Sequence, residues 1–326
     1  MANPFPFPEH LTLLDTEIHD ALASYSDPNS LYEPIRYILK NSGKRIRPLL
    51  VLLTGESLGG NQQLLLKGAM AVELLHNFTL VHDDIMDQDE LRRGQTTIHK
   101  RWDEGTAILS GDGLIGLAYR LLTEQNYENF QPALKTFTDA VIEVCEGQAL
   151  DKEFETTDSV EYQDYSVMIA KKTAALIAMA VELGALMAGS SLKTASRLAE
   201  FGYNIGMAFQ IQDDLLDFLS SSKVLGKPVG SDLLAGKKTY VTQMAESLFD
   251  EKQLAEFQQF LRIKALDEKG LNRLQQLLHN GGVVDAGRRE VGDYFDRAKA
   301  ILSEIFPDNS GKKLYAATDW ILNRTY

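Results

Sequence analysis

Leu80-Val81-His82-Asp83-Asp84-Ile85-Met86-Asp87 returns 130 positions later as Phe209-Gln210-Ile211-Gln212-Asp213-Asp214-Leu215-Leu216-Asp217. Each copy is Asp-Asp-x-x-Asp set among apolar residues at helical spacing. On a helix, residues four apart stack on one face, and the next residue lies about 100° round the axis. Asp83 with Asp87, and Asp213 with Asp217, therefore form acidic ladders one turn long. Like charges at that spacing repel even when solvated, and burying them costs far more. One such motif reads equally well as a solvated helix face. Two in apolar helices point to bound cations. Hard oxygen ligands in this number suit Mg²⁺, which keeps several waters and is usually shared with substrate phosphates. A calcium loop starting at Asp87 is excluded, because its sixth position needs glycine and holds Arg92.

Outward from the motifs, the bulk properties narrow the class. The 326 residues allow one large domain or two ordinary ones. No composition break marks a boundary, so residues 1–326 read as a single domain. An apolar fraction of 44% supports a substantial core, and 24% charged residues is ordinary for a soluble protein. The net charge of −13 argues against a nucleic-acid partner. Cys145 stands alone, so no intrachain disulfide is possible, and a reducing, cytoplasmic setting fits. The first eight residues have neither the basic region nor the apolar core of a signal peptide. The longest apolar run, Ala174 to Gly189, is interrupted by Glu182 and falls short of a bilayer. It reads as a buried core helix, and no transmembrane segment is expected.

Beyond Pro8 nearly every segment has helical period, and no stretch alternates long enough for a strand. The periodicity predicts helices over 8–25, 29–41, 45–58, 62–91, 105–124, 131–155, 159–188, 193–219, 237–248, 251–263, 267–280, 285–305 and 311–324. Long helices apolar on several faces belong at the centre of an all-α bundle. The stretch 220–236, rich in Ser, Gly and Lys, follows the second motif, where a lid would be useful.

Basic residues recur near these elements. Gly43-Lys44-Arg45-Ile46-Arg47-Pro48 opens a helix, and Lys44 and Arg47, three apart, can reach one point. Leu91-Arg92-Arg93-Gly94 closes the helix of the first motif, where cations also suit the helix dipole. Lys171-Lys172-Thr173 interrupts an apolar helix; snorkelling is the plain explanation. Lys227 and Lys237 flank the lid-like stretch, and His76 lies two turns before Asp83 on nearly the same face.

These residues, with Gly147-Gln148 and Gln210, occur in the order and approximate spacing of a known family. From about residue 30 onward the chain resembles the trans-isoprenyl diphosphate synthases, or polyprenyl synthetases. The resemblance implies an all-helical isoprenoid synthase fold with long helices around a deep central cavity, and a homodimer. It also implies head-to-tail condensation of an allylic diphosphate with isopentenyl diphosphate, releasing diphosphate. Three Mg²⁺ are implied, bridging Asp83, Asp87 and Asp213 to the allylic diphosphate, with Asp84 and Asp217 assisting and Asp214 completing the six acidic positions. Arg92, Lys172 and Lys227 would hold the same diphosphate. Lys44, Arg47, His76 and Arg93 would hold isopentenyl diphosphate, with Lys237 near the lid and Arg324 joining from the tail. Thr173 and Gln210 would face the allylic cation, and released diphosphate would take the proton.

Phe78 lies five residues before Asp83, about 7–8 Å along a helix axis. In the family a large aromatic here acts as a floor that stops elongation. With small Thr79 beside it, Phe78 implies a short-chain product, geranylgeranyl (C20) or farnesyl (C15) diphosphate. Two rival readings stand beside this one. A class I terpene cyclase also ionises a diphosphate with Mg²⁺, but needs no second anion site. A non-catalytic subunit of a synthase would be expected to have lost acidic positions, and this chain keeps all six.

Overall fold

The computed structural model describes residues 6–40, 43–219, 236–261, 263 and 267–322. Lys227, Arg324 and all of the lid-like stretch but Gly236 lie outside the described residues. The described elements are helices α1 (Pro8–Ala23), α2 (Asn29–Lys40), α3 (Ile46–Ser57), α4 (Gln62–Met86), α5 (Ile98–Arg101), α6 (Glu104–Thr123) and α7 (Phe130–Phe154). After these come α8 (Tyr162–Ile169), a π-turn (Ala170–Ala174), α9 (Ala175–Met187) and α10 (Leu192–Leu219). The chain ends in α11 (Tyr240–Leu248), α12 (Glu251–Leu261), α13 (Glu268–Asn280), α14 (Val283–Ile305) and α15 (Lys312–Leu322). Between α4 and α5 sit two short strands, β1 (Leu91–Arg92) and β2 (Gln95–Thr96), paired antiparallel. The fold is all-α, as the periodicity implies.

The core is organised by α9, whose residues are almost all buried and which packs against α3, α4, α7 and α10. One hydrophobic cluster runs from Phe7 to Ile321. Several helix starts follow their sequence. Asn61 accepts from Leu64 N at 3.1 Å to cap α4, and Asp103 accepts from Thr106 N at 2.8 Å to cap α6. Thr239 and Thr242 form a reciprocal capping box, so α11 begins at Tyr240 rather than at 237. By length and composition α4 could cross a membrane, contrary to the expectation from the 174–189 run. Yet 67% of its apolar window is buried inside the fold.

Two expected helices are broken. The helix predicted over 62–91 stops at Met86, with Asp87 as its C-cap. A hairpin follows, in which Leu91 pairs with Thr96 and Arg92 with Gln95. Its two-residue turn, Arg93-Gly94, has φ of 52° and 75°. Positive φ at both positions is what the right-handed twist of a two-residue hairpin requires, so the Gly has a backbone reason. Arg92 is thus a strand residue and does not close the helix. The helix predicted over 159–188 is interrupted by the π-turn, which holds Lys171, Lys172 and Thr173. Such turns shift one residue out of helical register and recur at functional sites. Here the shift separates the lysines: Lys171 pairs outward with Glu146, and Lys172 turns inward to Asp151.

Candidate active site

The C-terminal end of α4 carries the first motif. Arg92, from the hairpin, donates through Nε to Asp84 and stands 3.5 Å from Asp83 and 3.4 Å from Asp89. Asp84 is buried, and burial pushes its carboxyl up to about 6 despite the arginine. Asp87 accepts from Lys152 Nζ through Oδ1 at 3.2 Å and from Lys237 Nζ through Oδ2 at 2.9 Å. Burial alone would raise Asp87. The bonds and charge of Lys237 and Lys152 outweigh it and hold the carboxyl below the usual range. Lys172 Nζ lies 3.7 Å from Asp83 Oδ1, an oxygen that is buried and accepts no hydrogen bond.

The second motif sits on α10, brought close to the π-turn by glycines. A Cβ on Gly206 would stand 2.5 Å from Ala174 Cα, and one on Gly147 of α7 would stand 2.3 Å from Lys172 N. This close approach lets Thr173 Oγ1 donate to Gln210 Oε1 at 2.8 Å. Gln210 Nε2 in turn donates to Asp214 Oδ1 at 2.8 Å. The other Asp214 oxygen accepts from Tyr165 Oη and Tyr240 N, both at 2.7 Å. Asp214 therefore ties α10 to α8 and α11. Asp217 is buried to 2% exposure, and Asp213 contributes to the field at Arg47.

A third group comes from the start of α3. Arg45 has φ of 48°, a left-handed conformation that costs a non-glycine about 1–2 kcal/mol. Its buried guanidinium offsets this by donating to Glu73, to Leu39 O at 2.8 Å and to Asp15 at 3.2 Å. Glu73 also accepts from Asn77 at 2.6 Å. With the turn pinned, Arg47 faces the interior while Lys44 is exposed. Arg47 Nη1 donates to His76 Nε2, 3.3 Å away, so the proton of the neutral ring is on Nδ1. Burial, then the charges of Arg47 and Arg93, pushes the imidazole far below its ordinary value, keeping it neutral. Burial also lowers Arg47, to about 10, leaving it charged at neutral pH. Gly43 lets the Arg93 guanidinium lie directly on the loop, where a Cβ would be 2.4 Å from Cζ.

These elements enclose two chambers. The larger, about 370 Å³, is lined by Arg47, His76, Phe78, Thr79, Asp83 and Gln148, among others. The smaller, about 120 Å³, is lined by Gln210, Asp214, Lys237 and Asp151, among others. Lys172 and Thr173 line both. In the larger chamber Arg47 Nε, His76 Nδ1 and Gln148 Nε2 are buried donors without a partner. Buried donors are normally satisfied, so the wall is suited to an acceptor-rich group. Among the described residues no three His, Cys, Asp or Glu side chains converge to hold a metal alone. The open oxygen of Asp83 and the hard carboxylates of both motifs fit Mg²⁺ whose other ligands are water and phosphate.

Sequence reasoning missed the Arg45–Glu73–Asn77 anchor, although a lone Glu in the apolar run of α4 was a signal. It also missed Lys152, Asp151 and Tyr165, which no local pattern marks.

The helical layers and the cavity beneath paired aspartate motifs define an isoprenoid synthase fold. A family model described as polyprenyl synthetase matches residues 28–278. The geranylgeranyl pyrophosphate synthase of Geoglobus acetivorans is 37% identical over 316 residues, covering 96% of this chain and 97% of its own. The geranylfarnesyl diphosphate synthase of Natronomonas pharaonis is 36% identical over 328 residues, covering 92% and 91%. The polyprenyl synthase of Caulobacter crescentus CB15, solved with calcium and isoprenyl diphosphate, has a TM-score of 0.87 at 28% identity over 100% of this chain and 99% of its own. The chain belongs to the polyprenyl synthetase family. It is a prenyltransferase of short-chain trans-prenyl diphosphate synthesis; neither the cyclase nor the regulatory-subunit reading is favoured.

Proposed function

We propose that the chain, acting as one domain over residues 1–326, condenses isopentenyl diphosphate with an allylic diphosphate at the shared wall of the two chambers, giving geranylgeranyl or farnesyl diphosphate. The observation that carries this is the pairing in one cavity of an open carboxylate oxygen on Asp83 with unpartnered donors on Arg47, His76 and Gln148. The allylic C–O bond breaks, the double bond of isopentenyl diphosphate attacks the allylic carbon, and a proton leaves to released diphosphate. Bound Mg²⁺, for which we propose three ions, would stabilise the departing charge. Asp83, Asp87 and Asp213 would hold it, with Asp84 and Asp217 in support.

Arg92, Lys172 and Lys237 would grip the allylic diphosphate, and Lys227 falls outside the described residues. Arg47, His76, Arg93 and exposed Lys44 would take the second diphosphate, with neutral His76 donating through Nδ1. Thr173 and Gln210, bonded to each other, would turn their oxygen dipoles toward the cation. The apolar chamber keeps water from the cation. Phe78 is the proposed floor. A homodimer belongs to this reading, supported by exposed Ile108 and Leu109 on α6 and Ile142 on α7. A cytoplasmic setting is supported by the single, free Cys145.

Incubation with Mg²⁺, labelled isopentenyl diphosphate and each allylic diphosphate tests the reading. Chain-extended diphosphates are expected; cyclic hydrocarbons or absent turnover would overturn it. Phe78→Ala should lengthen the product.

A further inference from the structure

One side chain of the main cavity has no task in this scheme. His82 follows Phe78 by four residues on α4, so the two project from one helix face, and both line the cavity. Their rings meet edge to face, with centroids 4.7 Å apart and planes at 61°. The imidazole also lies against α6. Its Nε2 is 3.3 Å from Ile108 O, and because a carbonyl can only accept, that nitrogen carries a proton. Asp112 Oδ1 is 3.9 Å from the same atom. The ring can come this close because residue 111 is glycine. A Cβ there would stand 2.2 Å from Nε2 and 2.5 Å from Cδ2 of His82, and the third-nearest atom, at 3.2 Å, belongs to the same ring. Backbone of α6, imidazole and Phe78 ring thus form one continuous stack ending at the cavity.

We propose that His82 is a positioning residue for product length: it props the Phe78 ring from the α6 side, and Gly111 sets how far that prop can retreat. The proposal rests on the reading of Phe78 as the floor. A floor ring on a helix turns about two side-chain torsions, and a growing apolar chain pressing on it would rotate it toward any open space. The imidazole fills that space and is itself backed by main chain, which does not yield. Gly111→Ala acts in the opposite sense to removal of the ring. The atoms its methyl would meet are the tip of a rotatable side chain, so the imidazole gives way rather than the helix. The ring then moves off α6 toward Phe78 and the cavity.

The test compares product lengths formed from isopentenyl diphosphate and geranyl or farnesyl diphosphate with Mg²⁺. The variants are Phe78→Ala, His82→Ala, His82→Asn, Gly111→Ala and the double variant Gly111→Ala/His82→Ala. Phe78→Ala and both His82 variants should lengthen the main product by at least one isoprene unit. His82→Asn keeps a donor for Ile108 O, so it guards against a misfolded alanine variant. Gly111→Ala should shorten the product, and the double variant should return to the long product of His82→Ala, since the clash has gone. That reversal is a readout that loss of packing alone does not give. If Phe78→Ala lengthens the product while the His82 and Gly111 variants leave it unchanged, the prop is refuted and the floor stands. If Phe78→Ala itself changes nothing, the floor reading fails and takes the prop with it.

Discussion

The two Asp-Asp-x-x-Asp motifs share five letters and differ in how the fold neutralises them. The first ends its helix and meets cationic side chains: Arg92 on Asp84, with Lys152 and Lys237 on the two oxygens of Asp87. The second lies within α10, and its middle carboxylate is satisfied by neutral donors, Tyr165 Oη, Tyr240 N and Gln210 Nε2. Cationic side chains can swing away when a metal ion and diphosphate arrive. Donors that tie three helices together cannot move without loosening the fold. The first motif is thus built for exchange of partners, and the middle of the second for rigidity.

The largest expected effect tests what the motifs share. Asp83→Ala and Asp213→Ala should each lower kcat/KM by about 10³-fold, because each removes several kcal/mol of transition-state charge stabilisation. Steady-state rates beside denaturation midpoints would check this; full turnover in the double variant would end the proposed role. The next effect tests the difference. Asp214→Ala should destabilise the fold by about 2–4 kcal/mol, since it strands buried donors on Tyr165 and Tyr240. A urea midpoint no lower than that of Asp83→Ala would erase the contrast between the motifs.

This contrast was not legible in the sequence. Both motifs announce acidic ladders on apolar helices, and helical period marks most of α1–α15. What separates Asp84 from Asp214 is supplied by residues far along the chain: Tyr165 lies 49 positions from Asp214, and nothing in either segment encodes that meeting. The hairpin escaped because two-residue strands are too short to show a period of two. The π-turn escaped because one added residue leaves an apolar run looking continuous, although adjacent lysines inside it were a clue. The buried Arg45 hid among the basic residues around it, whose reading as an anion cluster was sufficient without it.

A third prediction concerns the wall between the motifs. His76 is held neutral by burial and by Arg47 and Arg93, well below the 6.5 of an ordinary imidazole. The unfolded chain therefore binds a proton there that the native protein refuses. The stability this residue contributes is present above pH 6.5 and is lost as the pH falls below it. The slope from this one group is at most about 1.4 kcal/mol per pH unit. Urea midpoints measured from about pH 7 down to about pH 5 should fall, and His76→Gln should flatten the decline. An unchanged slope would mean that the ring is protonated in the fold and that Nδ1 is not its sole donor.

The smallest effect sharpens the idea of exchangeable partners. Lys152 Nζ bonds Asp87 at 3.2 Å, Met86 O at 3.2 Å and Glu155 at 2.8 Å, so it caps the end of α4 while covering a proposed metal ligand. An incoming cation must displace it. A part-exposed pair of this kind is worth roughly 0.2–1 kcal/mol. Lys152→Met should therefore tighten Mg²⁺ binding in the presence of inorganic diphosphate by at most about fivefold, measured by calorimetry. If Lys152 instead grips diphosphate directly, the same substitution weakens binding, and the sign of the change separates a resident competitor from a substrate contact. A competitor also predicts that Lys152→Arg, which keeps the charge, restores the weaker affinity, whereas no substitution at Tyr165 should alter Mg²⁺ binding except through stability. That asymmetry is what a motif neutralised by movable cations, facing one neutralised by fixed hydrogen bonds, requires.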